Sequence, residues 1–166
     1  MFVRTASTRD LPAIHSLLVA TWHDTYDRIY GAECVEAITG EWHSLSALAK
    51  RLETPASEFL VADDGNLIGG MAFAVMADDG STVLLQQLYV LPALQGRGIG
   101  GLLLDEVEGC FPDANRIRVE VEEKNGKAFA FYRAQGFAET GRNAGKVVAD
   151  DGIVVCMLER PIVWAD

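Results

Sequence analysis

The stretch that most constrains this chain runs from Leu88 to Leu104: Leu-Tyr-Val-Leu-Pro-Ala-Leu-Gln-Gly-Arg-Gly-Ile-Gly-Gly-Leu-Leu-Leu. Thr82 to Leu91 is rich in Leu and Val and reads as a strand, closed by Pro92. Ile99, Leu102, Leu103, Val107 and Phe111 then recur at helical spacing, which predicts a helix with one buried face. Gly96, Gly98, Gly100 and Gly101 therefore fall where that helix begins. The first N–H groups of a helix have no intrahelical acceptor, and the helix dipole puts partial positive charge there. Glycines, lacking Cβ, let an anion approach those N–H groups closely. Arg97 adds a full positive charge. The stretch reads as a seat for phosphate, and a diphosphate suits it best.

The loose dinucleotide pattern G-x-G-x-x-G is also satisfied by Gly96-Arg97-Gly98-Ile99-Gly100-Gly101, and Glu120 and Glu122 stand roughly where a ribose-binding acid would. A dinucleotide fold wants that turn directly after its first strand. Here Leu91 to Gln95 intervene, more than half the chain precedes the glycines, and too little follows for the remaining βαβ units. A P-loop is excluded because no Lys-Ser/Thr follows the glycines.

The whole stretch is more specific than its glycines. Gln95-Gly96-Arg97-Gly98-Ile99-Gly100, behind a Leu-Tyr-Val-Leu-Pro strand end, resembles the acetyl-CoA loop Q/R-x-x-G-x-G/A of the GNAT acetyltransferase superfamily. A second block agrees in order and spacing: Val119-Glu120-Val121-Glu122-Glu123-Lys124-Asn125, then Ala128, Phe131, Tyr132 and Gly136-Phe137. The resemblance covers Leu84 to Phe137, about a third of the chain. It implies an α/β fold (α+β in some schemes) with a mixed, mostly antiparallel sheet and helices on both faces. Two central parallel strands would splay apart to admit the pantetheine arm, here Leu84 to Leu91 and Ile117 to Val121.

Bulk properties agree. At 166 residues, with 49% hydrophobic and 23% charged residues, the chain reads as one globular domain over 1–166. It shows no signal peptide and no apolar run of transmembrane length, so a cytoplasmic protein without membrane contact is expected. Cys34, Cys110 and Cys156 have no metal-ligand spacing, and neither do His15, His23 and His43, so no metal is assigned. The net charge of −10 argues against nucleic acid and mildly favours a cationic amine. A homodimer stays open.

Along the chain, Phe2 to Ala6 reads as a strand, and Ser7 or Thr8 caps a helix with the stripe Leu11, Ile14, Leu17, Leu18. Trp22 to Tyr30 reads as a second helical piece ended by Gly31, and Ser44 to Leu52 as a third. Phe59 to Ala62 and Leu67 to Met76 read as strands joined at Asp64-Gly65-Asn66. Ala-Asp-Asp-Gly recurs three times, ending at Gly65, Gly80 and Gly152, as three turn signatures. Ile117 to Val121 is the next strand, Lys127 to Ala134 a helix stopped by Gly136, and Phe137 to Thr140 and Val147 to Leu158 the last strands.

Acetyl transfer to an amine whose pKa is about 10 needs a base, an acid for the departing thiolate and a donor for the thioester oxygen. By the resemblance, Leu88, Tyr89 and Val90 bind the pantetheine and that oxygen through their backbone. Gln95 to Gly101, that is Gln95, Gly96, Arg97, Gly98, Ile99, Gly100 and Gly101, hold the diphosphate. Asn125 caps a helix and touches the cofactor. Tyr132, seven residues on, is the candidate acid, against a reading as a core aromatic. Lys124 and Lys127 read equally as surface lysines or phosphate contacts. Glu120 is the candidate base, at the position where ribosomal-protein alanine acetyltransferases carry a catalytic Glu. Alternation puts Glu120 and Glu122 on one strand face, which can equally be a solvated face, with water or backbone carbonyls taking the proton. Trp22 and Tyr26, spaced i, i+4, share a helix face and are either acceptor-pocket or core residues.

The expected activity is acetyl-CoA-dependent N-acetylation of a primary amine on a small molecule or a peptide or protein N-terminus. The rivals are a non-catalytic acyl-CoA-binding or sensing domain and a nucleotide-dependent oxidoreductase.

Overall fold

In the computed structural model, which describes residues 1–144 and 154–164, the N-terminal strand β1 (Phe2–Thr5) leads through a 3-10 turn (Thr8–Asp10) into helix α1 (Leu11–Tyr30). Arg4 fixes this start. Its guanidinium donates to both oxygens of Asp10, at 2.8 and 2.9 Å, and to Asp63 at 2.9 Å. Asp10 also accepts from the backbone N–H and hydroxyl of Ser7. One buried carboxylate thereby joins a strand end, a helix start and a neighbouring strand.

α1 is one helix of 20 residues where the sequence suggested two pieces, because no Gly or Pro interrupts it between Pro12 and Gly31. Gly31, at φ 86°, takes the left-handed conformation that ends it. Helix α2 (Ala32–Trp42) was not legible beforehand. It buries only Val35, Ile38 and Thr39, a stripe too short to stand out among Glu33, Glu36 and Gly40. Helix α3 (Leu45–Leu52) is capped by Ser44, whose hydroxyl accepts from the Ala47 N–H at 3.1 Å.

Strands β2 (Ser57–Asp63), β3 (Ile68–Met76) and β4 (Thr82–Val90) form an antiparallel meander. Its first turn is the expected one: Asp64 accepts from the N–H groups of Asn66 and Leu67, and Gly65 sits at φ 96°. Helix α4 (Ile99–Gly109), strand β5 (Arg116–Glu122), helix α5 (Gly126–Ala134), and strands β6 (Ala138–Ala144) and β7 (Val154–Pro161) follow. The expected last strand falls within the described residues only from Val154 onward. Val147 to Ile153, and the turn signature ending at Gly152, lie outside the described residues.

Among the described residues, seven strands form one sheet, ordered β1-β2-β3-β4-β5-β7-β6, in which only β4 and β5 run parallel. Helices cover both faces. Against α4 and α5 packs a core that includes Val83, Leu85, Leu103, Val107, Ile117, Val119 and Val121. Against α1 and α3 packs a second, with Ile14, Leu18, Leu48, Phe59, Val61, Met71 and Phe73. Ile99, Leu103 and Val107 are buried as their spacing predicted, whereas Leu102 is 41% exposed and the buried neighbour is Leu104.

Two irregularities shape the centre of the sheet. Phe73 pairs with Gln87 but Ala74 with Leu85, so Gln86 is an extra residue, a β-bulge in β4. Because side chains alternate, one added residue inverts every face after it. Val83 and Leu85 point to the α4 side before the bulge, and Leu88 and Val90 do so after it. Gln87 and Tyr89 are thereby turned to the α1 side. The second irregularity is that β4–β5 pairing stops at Leu85–Val119. From there the strands diverge, as the sequence reading expected.

Candidate active site

The divergence leaves the edge of β4 from Gln86 to Val90 without a strand partner on its β5 side. An extended ligand can bind those backbone groups as an added strand would. At the open end of this gap the chain leaves β4, passes a 3-10 turn at Pro92–Leu94 and enters the glycine-rich loop. Gln95 ties the loop back by donating to the Val90 carbonyl at 3.1 Å. Gly96 and Gly98 have φ of 77° and 83°, conformations an L side chain rarely takes. Gly98 is the N-cap of α4, and its carbonyl accepts the first helical bond, from the N–H of Leu102. The N–H groups of Ile99, Gly100 and Gly101 precede that bond and are left for an anion. Gln95, Gly96, Arg97 and Gly98 are exposed, so the seat opens to solvent. Gly100 serves packing as well: a Cβ there would lie 3.0 Å from the Phe131 ring.

On the other side of the gap, Asn125 caps α5 by accepting from the Ala128 N–H at 3.1 Å. Its amide also donates to the Tyr26 hydroxyl at 3.3 Å, joining α5 to α1. Tyr132 is 6% exposed and packs edge-on against Phe131 and Phe137. Burial, with the hydroxyls of Tyr89 and Tyr26 nearby, raises its pKa well above the usual phenol value. Tyr132 is thus both a core aromatic and a member of a cluster of three phenols at the gap. Its proton is held across the physiological range.

Ile117, Val119 and Val121 face α4, so Glu120 and Glu122 project to the α1 side, as alternation predicted. They differ in setting. Glu120 is exposed, whereas the Oε2 of Glu122 is buried and has no hydrogen-bond partner among the described residues. Tyr30 lies against Glu122, and burial together with that carboxylate raises the Tyr30 pKa. Lys124 and Lys127 are exposed.

A row of rings crosses the α1 side of the gap. His43 and Trp22 have centroids 5.3 Å apart, Trp22 and Tyr26 4.5 Å, and Tyr26 and Tyr30 5.6 Å. At the Glu122 end the row meets β5. At the His43 end it borders an open cavity of about 550 Å³, lined by Trp22, Trp42, His43, Arg51, Gln87 and Tyr89, with Glu41, Ala47 and Gln86. His43 is 2% exposed, and burial, reinforced by the Arg51 charge and by His15, brings its pKa down to about 4. The ring is therefore neutral at neutral pH and a poor proton acceptor.

The family described as Acetyltransferase (GNAT) matches residues 11–137. The chain belongs to the GNAT acetyltransferase family. A spermidine N(1)-acetyltransferase from Thermoplasma acidophilum is 29% identical over 142 residues, covering 81% of this chain and 86% of that relative. A peptidyl-lysine N-acetyltransferase from Escherichia coli is 30% identical over 138 residues, covering 81% of this chain and 82% of the relative. Among solved structures, the PaiA N-acetyltransferase of Thermoplasma acidophilum in complex with coenzyme A superposes with a TM-score of 0.81 at 23% identity. That superposition covers 96% of this chain and 98% of the other.

This GNAT protein is accordingly an acyltransferase. The β4–β5 pairing ends at Leu85–Val119, Gly98 opens α4, and Asn125 caps the α5 that carries Tyr132. Trp22 lines the cavity beside β4, while Tyr26 bonds Asn125, and both are nine-tenths buried or more. Sequence reasoning weighed His43 only as a metal ligand and gave Arg51, Gln87 and Tyr30 no role. Only Gln87 carried a usable signal, its place beside Gln86 in an otherwise apolar strand.

Proposed function

We propose that the chain is an acetyl-CoA-dependent N-acetyltransferase acting on a primary amine, on a small molecule or at a peptide or protein N-terminus. The observation that carries the reading is the gap between β4 and β5 beyond Leu85–Val119, with an anion seat at its mouth and Tyr132 beside it. The residues fit the cosubstrate at both ends. Unpaired first-turn N–H groups of α4 and Arg97 suit the diphosphate, and the unpartnered β4 edge suits the amides of a pantetheine arm. The names of the relatives, a spermidine and a peptidyl-lysine acetyltransferase, support an amine acceptor.

Acetyl-CoA supplies an activated acyl carbon. Backbone groups of Leu88, Tyr89 and Val90 orient the thioester, and an N–H among them stabilises the charge that develops on its oxygen. Glu120, exposed at the diverging end of β5, accepts the proton that the amine must lose, directly or through a water. The amine nitrogen forms its bond to the acyl carbon as the carbon–sulfur bond breaks. Tyr132 donates its proton to the leaving sulfur and is reprotonated from solvent. Glu122, with its buried oxygen against Tyr30, positions the ring row rather than accepting the proton.

Two measurements test this reading. Acetyl-CoA at about 100 times its dissociation constant should stabilise the fold by roughly 2.7 kcal/mol, and Gly98→Glu, which puts a carboxylate at the anion seat, should abolish the shift. Thiol release from acetyl-CoA should depend on added primary amine. An unshifted melting temperature at millimolar acetyl-CoA would remove the cosubstrate assignment.

A further inference from the structure

Five buried side-chain polar atoms have no hydrogen-bond partner among the described residues, and four of them belong to one cavity. They are Trp22 Nε1, His43 Nε2, Arg51 Nη1 and Gln87 Oε1, all from residues lining the space of about 550 Å³ beside β4. Buried polar groups are nearly always paired, so four orphans around one opening mark a place where something binds. Trp22, His43 and Gln87 are each at least nine-tenths buried, at 8%, 2% and 8% exposed.

The chemistry of the four is uneven. The indole and the guanidinium donate only. The Gln87 amide nitrogen faces His43 Nδ1 at 3.4 Å. Assigning the amide N–H as donor to Nδ1 puts the proton of the neutral ring on Nε2, a third donor. Arg51 is the charged member. Its Nη2 donates to the Trp42 carbonyl at 3.0 Å, and it makes no ion pair among the described residues. Glu41 lines the same cavity but is exposed and does not pair with it. Among the unpartnered atoms of this lining, three are donors, one carrying a full positive charge, and one is an acceptor; Tyr89, whose hydroxyl the Trp22 indole faces, completes the wall. That set matches a carboxylate, whose two oxygens accept up to four bonds, and it repels an ammonium group.

The cavity lies on the same side of the sheet as Tyr89, whose backbone borders the thioester gap. We propose that it is the acceptor subsite and that the acceptor amine carries a carboxylate, held by Arg51, Trp22 and His43 while the amine reaches the gap. The inference rests on the acetyltransferase reading and narrows the amine that the acidic net charge mildly favoured to the amino-acid class.

The test compares matched acceptors that differ by one carboxylate: lysine with cadaverine, ornithine with putrescine, and spermidine as a carboxylate-free polyamine. Thiol release from acetyl-CoA gives kcat/KM for each. Wild-type enzyme should prefer the carboxylate-bearing member of each pair by about 10- to 100-fold, the range of one or two hydrogen bonds to a charged group. In Arg51→Met, which keeps an unbranched side chain of similar length, that preference should collapse, with kcat/KM falling for the amino acids and rising, if it moves, for the diamines as the repelling charge is lost. Should Arg51→Met fold poorly, Trp22→Phe removes one donor and keeps the ring, and should erode the preference in part. Diamines accepted as well as or better than the amino acids by wild-type enzyme overturn the inference and leave the acetyltransferase reading intact. Thiol release with none of these amines would also overturn the inference, whereas the acetyltransferase reading falls only if peptide N-termini give none either.

Discussion

Tyr132, His43 and the two strand-end glutamates each carry a separate expectation. Tyr132→Phe keeps the ring that packs against Phe131 and Phe137 and removes only the hydroxyl, so fold and acyl-CoA affinity should hold. The thiol of the leaving group has a pKa near the roughly 8.5 of cysteine, so the acid is helpful without being indispensable. A fall in kcat of about 100-fold, the low end for general acid catalysis, is expected, with little change in KM. Unchanged kcat where chemistry limits the rate would leave Tyr132 a packing residue. Glu120→Gln should lower kcat at neutral pH, with a loss that shrinks as pH rises and more amine is already neutral. Glu122→Gln should shift the whole profile without changing its shape, and the reverse pattern would exchange their roles. His43 is expected to show in stability. Its folded pKa of about 4 lies below the ordinary value of about 6.5, so between those pH values the unfolded chain binds the extra proton. Stability should therefore fall as pH drops through that window, by up to about 3 kcal/mol from this one ring. A His43→Asn variant should have a flatter melting profile there, and an identical slope would mean that the ring titrates normally.

At the scale of elements, the glycine-rich helix start can be probed through its backbone. Gly98 sits at φ 83° with open space where a Cβ would go, so Gly98→Ala meets no neighbour and pays only in conformation. The left-handed region costs an L residue about 1–2 kcal/mol, and the denaturant midpoint should fall by that much with its slope unchanged. A variant as stable as wild type would mean that the turn adopts another conformation. This turn was also among the most legible features of the sequence, because each signal there is local: a Pro, then glycines, then apolar residues at helical spacing. The hairpin at Asp64-Gly65-Asn66 and the stop at Gly136 were legible for the same reason. α2 was not, since two or three buried residues in eleven give little periodicity, and its burial comes from packing on α1. The bulge at Gln86 was also hidden. It is a matter of register with β3, a non-local property, and it turns Gln87 and Tyr89 toward the cavity. The acceptor cavity was unreadable for that reason. Trp22, His43, Arg51 and Gln87 come from three regions of the chain and share nothing until α1, α3 and β4 pack together.

Across the whole molecule, the two sheet faces divide the work. The α4 and α5 side presents the glycine-rich helix start and Asn125, and the α1 to α3 side presents the ring row and the cavity, and the proposed function has donor and acceptor approach the gap between β4 and β5 from these opposite faces. Arg4, Asp10 and Asp63 bind the N-terminal strand to that frame. The Arg4 guanidinium holds the Asp10 carboxyl well below its usual pKa, so the stability this pair contributes is present above about pH 4 and is lost only on strong acidification. The account stands or falls on where the acetyl group goes. Incubation of the protein with acetyl-CoA labelled in its acetyl carbon and with lysine, followed by mass analysis of the amine and a count of free thiol, measures that directly. The expected result is one labelled N-acetyl product for each thiol released. Thiol release without a labelled amide would make the protein a thioesterase, and acetyl-CoA binding with neither product across amino acids, diamines and peptide N-termini would make it a sensor.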